Sequence, residues 1–318
     1  MTERTPQARW RFQRVQWDFV GRVAGRWGMV LWFVLPSLQL AIDYSGHPHR
    51  LWPDAHIYFR ATEAWLAGGS PWLASWEGIR YAAPPPALLL NLPLIPFGEG
   101  PAVAFWVAAN SMALVLLLRR LRLGWWWIAF YPVFEGLAAA TPDIALAMLV
   151  FAGWGAVAAI AKPYSIPALL SEGRWRALGV AAAVFILTVP VLPWGQFLES
   201  RAVIEGTFSE WARPTSAWGN PLMMAGTAVA LVLLGLRRGL ALLTPALLAQ
   251  QPHYSLFSLG AISTSTILMI ALARPNPHWA AAGVMLYALW ERGDLLVSLA
   301  KTVRRGPRAA ALAARLPR

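Results

Sequence analysis

The stretch WPDAHIYFRATEAWLAGGSPW places one carboxylate, Asp54, among basic and aromatic side chains directly beyond an apolar run. A carboxylate held partly out of water gains proton affinity and can take a proton from a hydroxyl as that oxygen attacks an electrophile. A leaving group that gains negative charge then needs cationic or hydrogen-bonding partners. Arg60, Arg80 and His253 are the candidates for that role, and guanidinium forks match phosphate oxygens well. Tyr58, Tyr81 and Tyr254 are polar-tipped rings that could line the same pocket. Glu135, in the apolar run FYPVFEGLAAA, is an ionisable group where such groups are costly and by default functional. Each residue also has a plainer reading. Asp54 could equally cap a helix by accepting hydrogen bonds from first-turn amides, and each cation could be a solvated loop charge.

The elements that must hold these groups follow from pattern and composition. The spacing of Tyr58, Thr62, Trp65 and Leu66 predicts a short amphipathic helix on the membrane surface, with Asp54 just ahead of it and Gly68 and Gly69 ending it. With 58% hydrophobic and 13% charged residues, the 318-residue chain has more apolar surface than a soluble domain buries, so lipid is the expected solvent. Apolar runs over 27–42, 102–118, 125–140, 144–161, 177–192, 222–236, 240–249, 256–273 and 278–290 approach the roughly 20 residues that cross a bilayer. The run from Pro84 to Phe97 holds five prolines and is too short to cross, which predicts a re-entrant or broken element. The expected fold is all-α, a polytopic transmembrane helical bundle of about 8 to 10 spans with an extracytoplasmic loop and a juxtamembrane helix after the first span.

Charge placement orients the bundle. The formal charge of +12 sits in short arginine clusters between apolar runs, a positive-inside signal rather than a nucleic-acid face, and no nucleic-acid partner is expected. Residues 1–26 form a basic cytoplasmic segment, 27–290 the transmembrane domain with 43–81 as its first extracytoplasmic loop, and 291–318 a basic tail. The first apolar run reads as an uncleaved anchor. The same rule puts 193–217 and 250–255 on the outer face with Asp54, and assigns Lys162 to the cytoplasmic side as a snorkelling headgroup contact. Asp143 reads as a helix cap. There is no cysteine, HExxH, Walker loop or Asp-x-Asp pair, so the chemistry those carry is excluded. His47 and His49 flank Pro48, two histidines alone do not make a metal site, and no metal or cofactor is named.

The ordered set Asp54, Tyr58, Ala61, Ala64, Leu66, Ala67, Gly68, Gly69, Pro71 and Trp72, then RYAAPPPALLL and Pro93, resembles the C-type (GT-C) membrane glycosyltransferases. The best fit is glycosyltransferase family 87, the polyprenyl-phosphate-mannose-dependent mannosyltransferases. AAIAKPYSIPALLSEGRWRALG, with Lys162 and Pro163, and QPHYSLFSL, with His253 and Tyr254, agree in order, so the resemblance runs from about Trp27 to Leu259. It implies a multi-pass protein of a prokaryotic plasma membrane with its active site on the extracytoplasmic face. It also implies an inverting hexose transfer, mannose by the family's habit, from a polyprenyl-phosphate sugar donor to a glycolipid or glycan acceptor. Asp54 would be the base and membrane lipids the surroundings, with the lipid-linked sugar phosphate as substrate and no separate cofactor. Where many relatives carry a Gly-Gln-x-Asn-like element, this chain reads AAATPDIAL, and it lacks late spans. A transporter or lipid carrier, or a noncatalytic membrane subunit of the same fold, are the alternatives.

Overall fold

The computed structural model describes residues 28, 30–211, 215–248 and 252–304; the basic segment 1–26 and residues 305–318 lie outside the described residues. The chain is mostly helical. A first helix, α1, runs over 30–46, and α2 follows at Pro53–Leu66. A two-residue hairpin pairs β1, Ser75–Trp76, with β2, Ile79–Arg80. Two 3-10 turns, Pro85–Leu90 and Leu92–Phe97, carry the proline-rich run, which is broken as expected.

Then come α3 (Glu99–Arg120), α4 (Tyr131–Ala139), α5 (Asp143–Ala152), α6 (Gly155–Ala161), α7 (Ile166–Ser171), α8 (Trp175–Thr188), α9 (Trp194–Glu199) and α10 (Arg201–Trp211). After them come α11 (Pro221–Leu233), α12 (Leu236–Leu247), a 3-10 stretch at Pro252–Ser258, α13 (Leu259–Ile262), α14 (Thr266–Leu272) and α15 (Trp279–Arg304).

Among the described residues, α3 is the one helix long and apolar enough to cross a membrane; α4 and α5 pass only as a pair, bent by 117°. The apolar runs are therefore cut shorter than periodicity suggests, and the cuts have local causes. Proline is free at a first helical turn and costly inside one, and Pro53, Pro132, Pro167 and Pro221 all stand in first turns. Ala140 at φ 48° ends α4, and Gly153 at φ 101° ends α5, so 125–140 and 144–161 become three short helices instead of two long ones. At roughly 1.5 Å per residue, the nine residues of α4 and ten of α5 each reach about half the hydrocarbon thickness.

The main core joins Leu117 on α3, Ile144 and Val150 on α5, Leu169 on α7, Leu242 on α12, Leu256, Leu272 on α14 and Val284 on α15. A smaller core under α2 gathers Ile57, Tyr58, Trp72, Tyr81 and Leu88; it is pinned by Trp72, whose indole donates to the Ala83 carbonyl at 3.0 Å. Asn110 of α3 is buried and accepts from the Ala145 amide at 3.1 Å, satisfying a free N–H of the first turn of α5. Outward faces stay apolar: Ile186 and Leu187 on α8, Leu222 and Val232 on α11, and Leu289 and Trp290 on α15 are exposed.

Close packing of α14 on α15 depends on Gly283, where a Cβ would fall 2.1 Å from that of Ala271. Gly283→Ala is expected to cost about 1–3 kcal/mol by overpacking, read as a lower melting temperature in detergent. An unchanged melting temperature would mean that the two helices part without cost.

Candidate functional site

Four interruptions of the helices converge on one place. Asp54 is the second residue of α2, whose entry is set by Trp52 in the left-handed region at φ 62°; the Trp52 amide donates to the Ala138 carbonyl at 2.9 Å and ties α2 to the end of α4. Asp143 opens α5 beyond the bend. Lys162 follows α6 with its backbone turned out of helix at φ −139°. His253 and Tyr254 lie in the 3-10 stretch after α12. Both aspartates thus stand in first helical turns, where the helix dipole favours a negative charge. Non-glycine residues with φ above zero cost energy and persist where packing overrides it, often at working sites; Trp52 and Ala140 flank this one.

These breaks enclose a cavity of about 320 Å³ lined by Tyr44, Asp54, Tyr58, Arg80, Tyr81, Glu135, Lys162, Tyr164, His253 and Tyr254, with Ile57, Ile79, three prolines and three alanines. Behind its wall Asp143 is fully buried. The hydroxyls of Thr141 and Tyr164 donate to its two oxygens, and the Lys162 ammonium stands 3.5 Å from Oδ2. Lys162 is itself 5% exposed and faces the rings of Tyr58, Tyr254 and Tyr164 at 5.0, 5.4 and 5.5 Å, so its charge is held by a carboxylate and three π faces. Tyr164 and Tyr254 stack at 3.8 Å. His253 receives Glu135 on one side, Nδ1 at 3.1 Å and its backbone N–H at 3.0 Å from the same Oε2. Its Nε2 lies 3.4 Å from Asp143 Oδ2. Burial raises the proton affinity of Asp54, while the charges of His253 and Lys162 pull it down; the net shift is upward.

Of the eight residues singled out in the sequence, Asp54, Arg80, His253, Tyr58, Tyr81, Tyr254 and Glu135 line this cavity. Arg60 does not. It bonds Glu99 at 2.8 Å and packs over Trp76 at 4.4 Å, while His56 meets the same carboxylate at 2.9 Å and stacks on the same indole. The pair is partly exposed and worth on the order of 1 kcal/mol or less.

Three readings are corrected. Asp54 is inside the first turn of α2 and Trp52 is the N-cap, with no side-chain cap bond. Asp143 is no cap either, since its oxygens are taken by Thr141, Tyr164 and Lys162. Lys162 does not snorkel to an opposite face but lies buried in the cavity with Asp54. Its signal was present in the sequence: a lone ammonium amid apolar residues is costly unless it has a partner.

Asp54, Asp143 and His253 offer two carboxylate oxygens and an imidazole nitrogen that lie within 4.8 Å of one another. No family model matches the chain, and no curated protein or solved structure shows significant similarity to it.

Proposed function

We propose that the protein is a multi-pass membrane glycosyltransferase. It moves a hexose, mannose on the resemblance, from a polyprenyl-phosphate donor to a glycolipid or glycan acceptor on the extracytoplasmic face, with inversion. The observation that carries this reading is the gathering of Asp54, Arg80, Tyr81, Glu135, His253 and Tyr254, from distant parts of the chain, around one cavity of the size small-molecule sites have, about 300–1,000 Å³. Asp54 takes the proton of the acceptor hydroxyl as its oxygen attacks the anomeric carbon. The bond from that carbon to the phosphate oxygen breaks, and the polyprenyl phosphate leaves with the electron pair. Arg80 at the rim and Lys162 within offset the charge on the departing phosphate, and the tyrosine faces bound the sugar.

The exposed apolar faces of α8, α11 and α15 support a lipid surrounding. So does the division of charge along α5: Asp143 opens it, whereas Arg174 reaches the Val150 carbonyl near its other end. Asp143 and Arg174 thus stand toward opposite ends of α5, in the sense that a basic cytoplasmic face calls for.

The test is the purified chain in nanodiscs with a labelled polyprenyl-phospho-hexose and extracted membrane lipids. Transfer predicts label in a glycolipid and an equal yield of free polyprenyl phosphate. The bent α4–α5 pair also fits a lipid carrier, because discontinuous helices line transport sites; donor that crosses the bilayer intact would establish that reading and end the first. Within the transfer reading the two arginines separate. Arg80→Ala is expected to raise the donor KM by about 10-fold or more, the worth of a charge-assisted bond to phosphate. Arg60→Ala, which loses a partly exposed pair, should change KM by less than about 3-fold.

A further inference from the structure

We propose that Asp54, Asp143 and His253 form a binding site for one divalent cation, placed to hold the phosphate of an anionic ligand in the cavity. The cation site stands on its own geometry; its use on a phosphate rests on the transfer reading.

Donor atoms about 2.1 Å from a cation lie about 3 Å apart when adjacent and about 4.2 Å when opposite. The three donors here fall within 4.8 Å of one another, and His253 Nε2 is 3.4 Å from Asp143 Oδ2, near the spacing that one shared cation requires. The second observation is the histidine itself. It is 5% exposed, and its Nε2 has no hydrogen-bond partner, while Nδ1 is occupied by Glu135. A carboxylate behind the far nitrogen is the usual support of a metal-bound imidazole, because it fixes the ring and leaves the near nitrogen its lone pair. Asp143 is backed in the same way by the Thr141 and Tyr164 hydroxyls.

Charge points the same way. The three carboxylates of Asp54, Asp143 and Glu135 outnumber the fixed cations Lys162 and Arg80, and a phosphodiester would add another negative charge. Lys162 neutralises Asp143 from within its tyrosine cage, whereas Asp54 has the Thr141 hydroxyl beside it and no salt bridge among the described residues. A divalent ion reverses the balance. Two oxygens and one imidazole suit an ion of intermediate hardness such as Mn²⁺. Bound through one oxygen, Asp54 keeps the other for the acceptor proton.

The full chain in nanodiscs, titrated with Mn²⁺ while free Mn²⁺ is followed by electron paramagnetic resonance, is expected to bind one ion per chain. His253→Ala and Asp143→Asn should weaken that binding at least about 10-fold, and Glu135→Gln about 10- to 100-fold through the ring it supports. Arg60→Ala should leave it unchanged. Wild-type protein that binds no Mn²⁺, or binding indifferent to His253→Ala and Glu135→Gln alike, overturns the proposal; the wild-type titration decides even where a variant fails to fold. Stoichiometric Mn²⁺ at these residues without sugar transfer leaves the site standing and removes the transfer reading. Transfer unchanged by a chelator, with no Mn²⁺ bound, does the reverse.

Discussion

On the transfer reading, Asp54→Asn is expected to lower the rate of sugar transfer by about 100- to 10,000-fold, the contribution of a positioned general base, while the protein remains folded. The amide keeps the volume and polarity of the side chain and cannot accept the acceptor's proton. The side chain makes no cap bond to α2, so the helix loses nothing it depends on. The melting temperature should therefore stay close to that of the wild type, which separates lost chemistry from lost structure. Saturating Mn²⁺ should not restore the rate, because the proton still lacks an acceptor. A variant that keeps more than about a tenth of the wild-type rate would remove Asp54 from the role of base.

The second large effect is on stability. Lys162→Met leaves Asp143, fully buried, with hydroxyl donors and the His253 imidazole 3.4 Å away but without its ammonium partner. Removing one member of a buried ion pair costs about 3–5 kcal/mol, whereas replacing both members can be nearly neutral. Lys162→Met is thus expected to unfold at markedly lower denaturant, and the double variant Lys162→Met, Asp143→Asn should recover at least about half of the loss. Denaturant unfolding in detergent measures both. A single-variant loss below about 1 kcal/mol would mean that the ammonium leaves the tyrosine cage for water and that the pair is not a fixed part of the site.

How much of this was legible in the sequence depended on what set each feature. The α2 helix was legible because its limits are local: Pro53 begins it, and Gly68, at φ 81°, follows its end. The number of crossings was not, since the hydrophobic runs give length without the bends that Ala140 and Gly153 impose. Lys162 was misplaced because the positive-inside rule treats every basic residue as facing water or headgroups. A lysine whose partner lies on a neighbouring helix escapes that rule, and the pairing is a tertiary fact. Asp143 was placed correctly at a helix start, yet its oxygens serve Thr141 and Tyr164, which no spacing reveals. Arg60 was wrongly counted into the site, although helix geometry separates it from Asp54. Six residues beyond Asp54 on a helix is a rotation of about 240°, whereas Tyr58 stands only about 40° away, so Tyr58 shares the cavity face and Arg60 looks toward Glu99.

Because the cavity is assembled at interruptions and not along any one helix, its parts leave the ribosome at widely separated moments of synthesis. The carboxylate of Asp54 emerges with α2, and that of Asp143 emerges with α5, before its lysine has been made. Only when the segment carrying His253 has followed α12 do Glu135 and Asp143 meet its imidazole. A ribosome stalled within α11 would therefore leave a chain that holds every acid of the site and no imidazole to meet them. That excess negative charge would stay unmet until the 3-10 stretch after α12 arrives.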